Sequence, residues 1–521
     1  MSKINFISKL RAIKTKSYLE AHRSLSKKNN LSLIQKIKQK LSDSLEHDEI
    51  GDDFLSCYNQ YLITYVLNQG FTKALLLSLV HRNRRFKYPI PKNWRIILEK
   101  NGFKANTIQN HLRWHFYSLK YYFVGLATFF LEVIKSIFHY KNVIGPYVYF
   151  SQLSKENLPK SPLTYHNNGI VSWFIDRYNK KGIKIMHSIK GAKEEITYNA
   201  SKINYIESPI PNISGIFNWI KLFFWVIKYS VSALLNQQKA ILFRQSVFHY
   251  FFLISPKGRL AKKYLFNNSS TIFRPLWTYA AEQKGASIIY YFYSLNNHII
   301  LEKNNEKQIY DYNWPHSTWS EFWFWNEHQL HLFKSIIKSK FHSKLVGITP
   351  FYNSKKLDLK KLKNKTILVF DIQPKPEDQY VLYGANFDYY STKSSISFLE
   401  KLDKISKKLS YDIILKSKRK VPSRYINNQY FNYTNKLFSQ DNWIEIDPEF
   451  GVNELCKLDN IIASIATPFT STTYITLKNN IPTIYFDVSE KVSSNQFLNR
   501  SIDTISSEGQ LLNWLNRLIN E

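Results

Sequence analysis

Near its C-terminus the chain carries Thr467-Pro468-Phe469-Thr470-Ser471-Thr472-Thr473, a short stretch dense in hydroxyl groups. It follows the apolar run 460–466, which reads as a buried strand. It precedes Tyr474–Lys478, which reads as a helix, and then Ile481–Phe486, another strand. A strand-to-helix turn of this composition suits an anion. The first backbone N–H groups of a helix are unpaired and carry the positive end of its dipole. Thr470, Ser471 and Thr472 could add hydrogen bonds to phosphate oxygens. The plainer reading is that Thr470 or Ser471 is an N-cap, and the sequence leaves both open.

The turn needs a scaffold, and the residues before it supply one. Thr366–Asp371, Asp412–Lys416 and Ile444–Asp447 read as strands, separated by helices at Ser395–Lys408 and after a basic loop. Val452–Leu458 and Gly509–Ile519 read as further helices. This alternation predicts a doubly wound parallel sheet. Ligands of such sheets bind beyond the carboxyl ends of the strands. Those ends carry Asp371, Glu377 and Asp378, then Lys416, Lys418 and Arg419, then Asp447, the Thr467–Thr473 turn and Asp487. Cations and hydroxyls on one rim suit a departing phosphate. A carboxylate beside them can take the proton of an attacking hydroxyl. Asp371 is the first choice because it ends its strand.

Several chemistries lack their signatures. There is no Walker A pattern, no GxGxxG after a strand, no HExxH and no GxSxG. An Asp-x-Asp pair for a metal-bound nucleotide is also missing, so nothing in the sequence calls for a metal or another cofactor. Two cysteines, Cys57 and Cys456, exclude a disulfide framework and fit a reducing cytoplasm.

The first 145 residues read as an added helical region, with Lys/Arg-rich polar faces and a basic cluster at Arg82–Lys87. After Gly145-Pro146 the pattern changes. Tyr147–Phe150, Ile183–Ser188, Ile203–Glu207, Tyr264–Phe266, Ile288–Phe292 and Leu345–Ile348 are strand candidates, with a helix at Gly169–Tyr178. The expected organisation is a helical region over 1–145, an α/β domain over 146–350 and a second over 351–521. An amphipathic helix at 213–235 is inserted in the middle domain. Its Asn218, Lys221, Lys228 and Ser232 fall on one side at helical spacing. That suits a helix at a membrane interface, or equally a core helix with one wet edge.

A formal net charge of +33 in 521 residues suits anionic partners, or equally lysines spread along solvated faces. A membrane surface and nucleotide phosphates are the candidates. No nucleic-acid-binding motif is present. The N-terminus lacks a secretory signal, and no run reaches the roughly 20 apolar residues a membrane span needs. The expected location is cytoplasmic and peripheral, at the inner face of the membrane.

Pro468-Phe469-Thr470-Ser471, within SIATPFTSTTYITLKNNIPTIYFD, resembles the motif of the bacterial polysaccharide biosynthesis proteins named for PFTS. Phe273–Tyr279 (FRPLWTY), Tyr291–Asn297 (YFYSLNN) and Asn313–His316 (NWPH) are similar to further segments of that family, so the resemblance spans roughly residues 146–500. It implies a GT-B-like fold, two Rossmann-like domains around a cleft. The activity implied is a glycosyltransferase of O-antigen or capsule biosynthesis. It would pass a sugar from a nucleotide-sugar donor to a growing, lipid-linked glycan acceptor. The family also has some likeness to transferases using CMP-activated ulosonic acids, where a Ser/Thr turn and basic residues hold the nucleotide phosphate. Lys416-Ser-Lys-Arg stands where several of those carry a Lys-Pro-His-Pro type segment, which leaves the donor open.

Four further residues are candidates for the cleft. Arg274 could clamp an anion or form a buried ion pair. Asn296 and Asn297 could bond sugar hydroxyls or make a turn. His316 could be a site residue or part of an aromatic loop running through Trp319–Trp325. The rival to an enzyme is a membrane-associated assembly or export component without catalysis.

Overall fold

The computed structural model describes residues 28–45, 53–80, 85–138, 146–159, 169–178, 182–213, 215–267, 273–295, 299–301, 307–309, 314–349, 364–372, 374, 391–417, 428–448, 450–468, 470–490 and 502–520. The chain begins with α1 (Lys28–Asp43), α2 (Asp53–Val66), α3 (Gln69–Val80), α4 (Lys92–Lys100) and the long α5 (Thr107–Phe138).

The middle of the chain runs β1 (Tyr147–Phe150), α6 (Ile170–Tyr178), β2 (Lys184–His187), β3 (Ile196–Tyr198) and β4 (Ser201–Tyr205). A helical pair follows, α7 (Ile216–Leu235) and α8 (Gln237–Ile254). Then come β5 (Lys263–Asn267), α9 (Trp277–Gln283), β6 (Ser287–Tyr291), β7 (Ile299–Leu301), β8 (Lys307–Ile309), β9 (Glu321–Phe324), α10 (Glu327–Lys334) and β10 (His342–Leu345). The sheet order is β10-β9-β6-β5-β1-β2-β4-β3, with β7 and β8 forming a separate pair. All neighbours in the large sheet are parallel except β3, which pairs antiparallel with β4 at the edge. Parallel strands buried on both faces read as continuous apolar runs, and β1 (YVYF) and β6 (SIIYY) do.

Two sequence expectations shift here. The strand expected at Leu345–Ile348 lies at His342–Leu345, paired with β9. The aromatic loop at Trp319–Trp325 contains β9 itself, with Phe322 and Phe324 buried on one face of the sheet and Trp323 on the other.

The C-terminal part runs β11 (Thr366–Phe370), α11 (Thr392–Leu409), β12 (Asp412–Lys416), α12 (Asn428–Phe438), β13 (Trp443–Ile446), α13 (Val452–Leu455), β14 (Ile461–Ala466), α14 (Thr472–Lys478), β15 (Thr483–Phe486), β16 (Thr504–Ile505) and α15 (Glu508–Asn520). Its sheet order is β13-β12-β11-β14-β15-β16, parallel throughout. Counted within this sheet, that is the 3-2-1-4-5-6 Rossmann order. Val369, Leu402 and Ile465 lie in the core on one face, and Leu368, Ile414 and Tyr485 on the other. The architecture is α/β and GT-B-like in its pair of Rossmann-like sheets, with a helical region added at the N-terminus.

That helical region is seated on the middle sheet's own helices. Ile37, Leu62, Leu75 and Trp94 share one buried cluster with Ile241 and Leu242 of α8 and with Leu276 and Tyr279. Helices α5, α7 and α8 form a second helical layer around Tyr122, Phe129, Leu222, Val226, Phe243 and Phe251. Gly125 lets α5 approach α8, since a Cβ there would lie 2.5 Å from the Cβ of Phe243.

Candidate functional site

The strand order reverses between β11 and β14, the position at which ligands of such sheets bind. Phe370, the last residue of β11, is in register with Ala466 on one side and Lys416 on the other. Asp371 and Thr467 therefore emerge side by side. The Thr467 N–H donates to the Phe370 carbonyl at 3.2 Å, and Asp371 is buried. Lys416 and the hydroxyl turn can converge directly only if their strands are neighbours in the sheet. They are not neighbours: β11 lies between β12 and β14 and separates them by about 10 Å, two strand spacings. Asp371 occupies the middle position.

Each hydroxyl of the turn has its own assignment. Thr470 Oγ1 donates to the Thr467 carbonyl at 2.8 Å, so its proton is spent inside the turn. Thr473 Oγ1 bonds the Thr470 carbonyl at 2.6 Å and the Tyr485 hydroxyl at 2.9 Å, fixing α14 to β15. Thr472 Oγ1 is a shielded atom with no hydrogen-bond partner among the described residues. Ser471 stands at the N-cap position with φ −64° and ψ −22°, and caps nothing. Its Oγ instead accepts the Leu295 N–H at 3.0 Å. The acceptor role leaves Ser471 its own proton to donate, because a hydroxyl has one proton and two lone pairs.

Leu295 belongs to the loop after β6 of the other sheet, and that loop is tightly held. Gln329, fully buried, donates to the carbonyls of Ser294 and Leu295 at 3.0 and 2.9 Å and accepts the Trp325 N–H at 2.8 Å. The Trp325 indole N–H in turn bonds the Phe292 carbonyl. Tyr474 of α14 packs on the cores of both sheets, and burial pushes its hydroxyl up to about 12. The PFTS turn thus meets the middle α/β unit as well as its own sheet. Leu295 lies within the YFYSLNN segment but acts here through its backbone amide, which no side-chain signal marks, and Gln329, a loop brace, carries none.

Lys416 is drawn toward β13. Its ammonium donates to the Pro448 carbonyl at 3.0 Å. Burial lowers its pKa from 10.5 to about 8, against the opposing pull of Asp447. Asp487, also buried, accepts from the Ser489 N–H and hydroxyl in a local turn.

For two candidates the contacts match the structural alternative. Arg274 is a buried structural group: its guanidinium bonds Thr278 Oγ1 at 3.0 Å, the Thr318 carbonyl at 2.7 Å and Glu282 at 2.5 Å, and lies 3.8 Å over the Tyr279 ring. His316 is buried at the seam with the N-terminal helices, where its ring contacts Ser42 Oγ at 3.0 Å and its carbonyl accepts from Gln60. Gln60 also accepts the Arg274 N–H at 2.9 Å. Both residues hold the helical region to the sheet. Glu377, Asp378, Lys418, Arg419, Asn296 and Asn297 lie outside the described residues, as does Phe469 of the motif. Among the described residues no three His, Cys, Asp or Glu side chains cluster to hold a metal ion.

A chain with two Rossmann-like sheets and a PFTS turn at the switch point of the second fits one family. The family model of polysaccharide biosynthesis PFTS motif proteins matches residues 220–515, more than half of the chain, and the chain belongs to that family. No curated protein matches it. Among solved structures it is similar to an α,α-trehalose-phosphate synthase (UDP-forming) from Burkholderia xenovorans, at 8% identity and TM-score 0.37, covering 72% of this chain and 92% of that one. It is also similar to the wall teichoic acid polymerase TagF, at 13% identity and TM-score 0.39, covering 80% and 90%. A UDP-GlcNAc 2-epimerase from Methanocaldococcus jannaschii is a third, at 11% identity and TM-score 0.36, covering 73% and 93%.

Proposed function

We propose that the protein is a glycosyltransferase of surface polysaccharide biosynthesis, of the O-antigen or capsule kind. It passes a sugar from a nucleotide-activated donor to a lipid-linked or growing glycan at the inner face of the cytoplasmic membrane. The observation that carries this reading is the juxtaposition of Asp371 and the PFTS turn at the β11–β14 switch point. Membership of a polysaccharide biosynthesis family supports the substrate class.

In this reading the donor phosphate lies over the turn. The hydroxyls of Thr472 and Ser471, each with a proton to give, donate to its oxygens, while Thr470 shapes the turn. Lys416, with Lys418 and Arg419 on the following loop, supplies positive charge as the nucleotide phosphate departs. Asp371 accepts the proton of the acceptor hydroxyl as its oxygen bonds to the anomeric carbon and the bond to phosphate breaks. Glu377 and Asp378 are the alternative bases. With cations in the metal's place, the reaction proceeds without one. The donor is a nucleotide-sugar, with a CMP-ulosonic acid as one candidate.

One observation favours a second reading, a non-catalytic assembly or export component. Thr467, Thr470 and Thr473 spend their hydroxyls within the fold, and Lys416 already holds a carbonyl. A nucleotide titration separates the two. A transferase is stabilised by CMP, UDP or another nucleotide, by about 2.7 kcal/mol at a hundredfold excess over Kd. A scaffold shows no shift with any nucleotide.

A further inference from the structure

Helices α5 and α7 are apolar on two faces at once. Their inner faces bury Tyr122, Phe129, Leu222, Val226 and Ala233 against α8. Their outer faces expose a second series, at three- and four-residue spacing on α7 and at four- and seven-residue spacing on α5. On α5 these are Ile108, Leu112, Phe116, Phe123, Phe130 and Ile134; on α7 they are Phe217, Ile220, Phe224, Ile227, Val231 and Leu234. Phe116 is 66% exposed and Phe217 76%. An apolar groove of about 430 Å³ joins the two helices, walled by Phe129, Phe130, Val133, Trp219, Phe223 and Phe224. A contiguous apolar face of this kind marks an interaction surface.

The charges around this face identify its occupant. Helix α7 carries Lys221 and Lys228, both exposed on one flank of the apolar series, and no acid. Helix α8 carries Lys239 and Arg244 and no acid. Helix α5 carries Arg113, Lys120 and Lys135 against one acid, Glu132, which pairs with Lys135 at 3.0 Å. Lys120 is exposed between Phe116 and Phe123, within the apolar stripe. A long lysine there can lay its stem along hydrocarbon and lift its ammonium to the headgroups, whereas lysine is depleted at the centres of protein interfaces. A second copy of the chain would set like charge against like. No described helix is long and apolar enough to cross a membrane, so the helices would lie within its surface.

We infer that α5 and α7 together form a docking platform that seats their outer apolar side chains in the interfacial layer of an anionic bilayer. The inference deepens the membrane-face part of the proposed function and is independent of catalysis. It replaces the expected polar side of the inserted helix. Ser232 turns inward to accept from Lys239 at 2.7 Å, and the exposed lysines flank a broad apolar face. It also adds α5, whose part the inserted helix alone does not suggest.

The test is flotation of the full-length protein with vesicles of phosphatidylcholine alone or mixed with phosphatidylglycerol, at low and high salt. Three variants are compared: wild type, Phe116→Ser/Phe123→Ser/Phe130→Ser in α5, and Phe217→Ser/Phe224→Ser/Val231→Ser in α7. The substituted side chains are exposed, so unchanged thermal unfolding confirms that each variant is folded. Wild type should float with the anionic vesicles and be weakened by salt. Each triple variant should lose binding about tenfold or more. Equal binding to neutral vesicles, or an α5 variant that floats like wild type, would overturn the two-helix platform. So would absence of vesicle binding with a wild-type dimer that the variants dissociate, which would make the face a contact between copies. Flotation needs neither donor nor acceptor, so its failure would leave the transferase reading standing.

Discussion

The backbone N–H of Leu295, in the loop after β6, donates to the side-chain oxygen of Ser471, in the PFTS turn before α14, at 3.0 Å. These residues lie 176 positions apart and belong to different sheets. The bond makes the family's motif a joint between the two α/β units as well as the turn at the switch point.

Ser471→Ala leaves the Leu295 amide unpaired in a half-buried setting. The expected cost is about 1–3 kcal/mol, read as a lower thermal midpoint, together with weaker nucleotide binding. Thr472→Val should separate the two effects. Its hydroxyl has no partner among the described residues, so stability should be unchanged while nucleotide affinity falls. Unchanged affinity in Thr472→Val would remove that residue from the phosphate site.

Lys416 gives the site a pH dependence. Its folded pKa is about 8 against an ordinary 10.5. Below about pH 8 the ammonium is charged in both folded and unfolded chains. Between about 8 and 10.5 the unfolded chain still holds a proton that the folded chain has released, so this residue's contribution to stability rises with pH. Donor affinity should move the opposite way, falling as pH rises through 8, because a neutral amine cannot neutralise phosphate. Lys416→Arg stays charged throughout and should flatten the affinity profile in a nucleotide titration.

Arg274→Met tests the structural assignment of that residue. It strands Glu282 and the Thr318 carbonyl and removes the Tyr279 stack, a loss on the order of 3 kcal/mol. Nucleotide affinity of the folded fraction should be unchanged. A stable variant with weakened nucleotide binding would return Arg274 to the cleft.

Gly125→Ala should destabilise by about 1–3 kcal/mol through overpacking. The added methyl meets the Cβ of Phe243, which cannot swing aside as a side-chain tip would. Thermal unfolding measures the loss, and a neutral result would mean that α5 and α8 can part without cost.

The second sheet was legible because its strands are short apolar runs that alternate with helices. β12 is found where the sequence puts it, and β11 and β14 within a residue. The first sheet was less so. β9 is hidden in an aromatic run, and α8 follows α7 after a single Asn236 that caps it. Side-chain partners were not legible. His316 meets Ser42 across 274 positions and Arg274 meets Gln60 across 214, contacts set by how the N-terminal helices dock. The exposed apolar face of α5 was not legible, because helical spacing cannot say whether an apolar series is covered. The hydroxyl turn was found by composition, while the division of its hydroxyls among fold, joint and ligand depends on where Leu295 and Tyr485 arrive.

The central claim is that the β11–β14 switch point is a sugar-transfer site with Asp371 as its base. The most direct measurement is turnover of a nucleotide-sugar by Asp371→Asn beside wild type, with nucleotide affinity measured on the same samples. The account predicts that Asp371→Asn binds nucleotide as wild type does and loses turnover by about 10² or more, the lower range for a positioned base. Full turnover by Asp371→Asn, or a wild type that neither binds nucleotide nor turns over any donor, would contradict it.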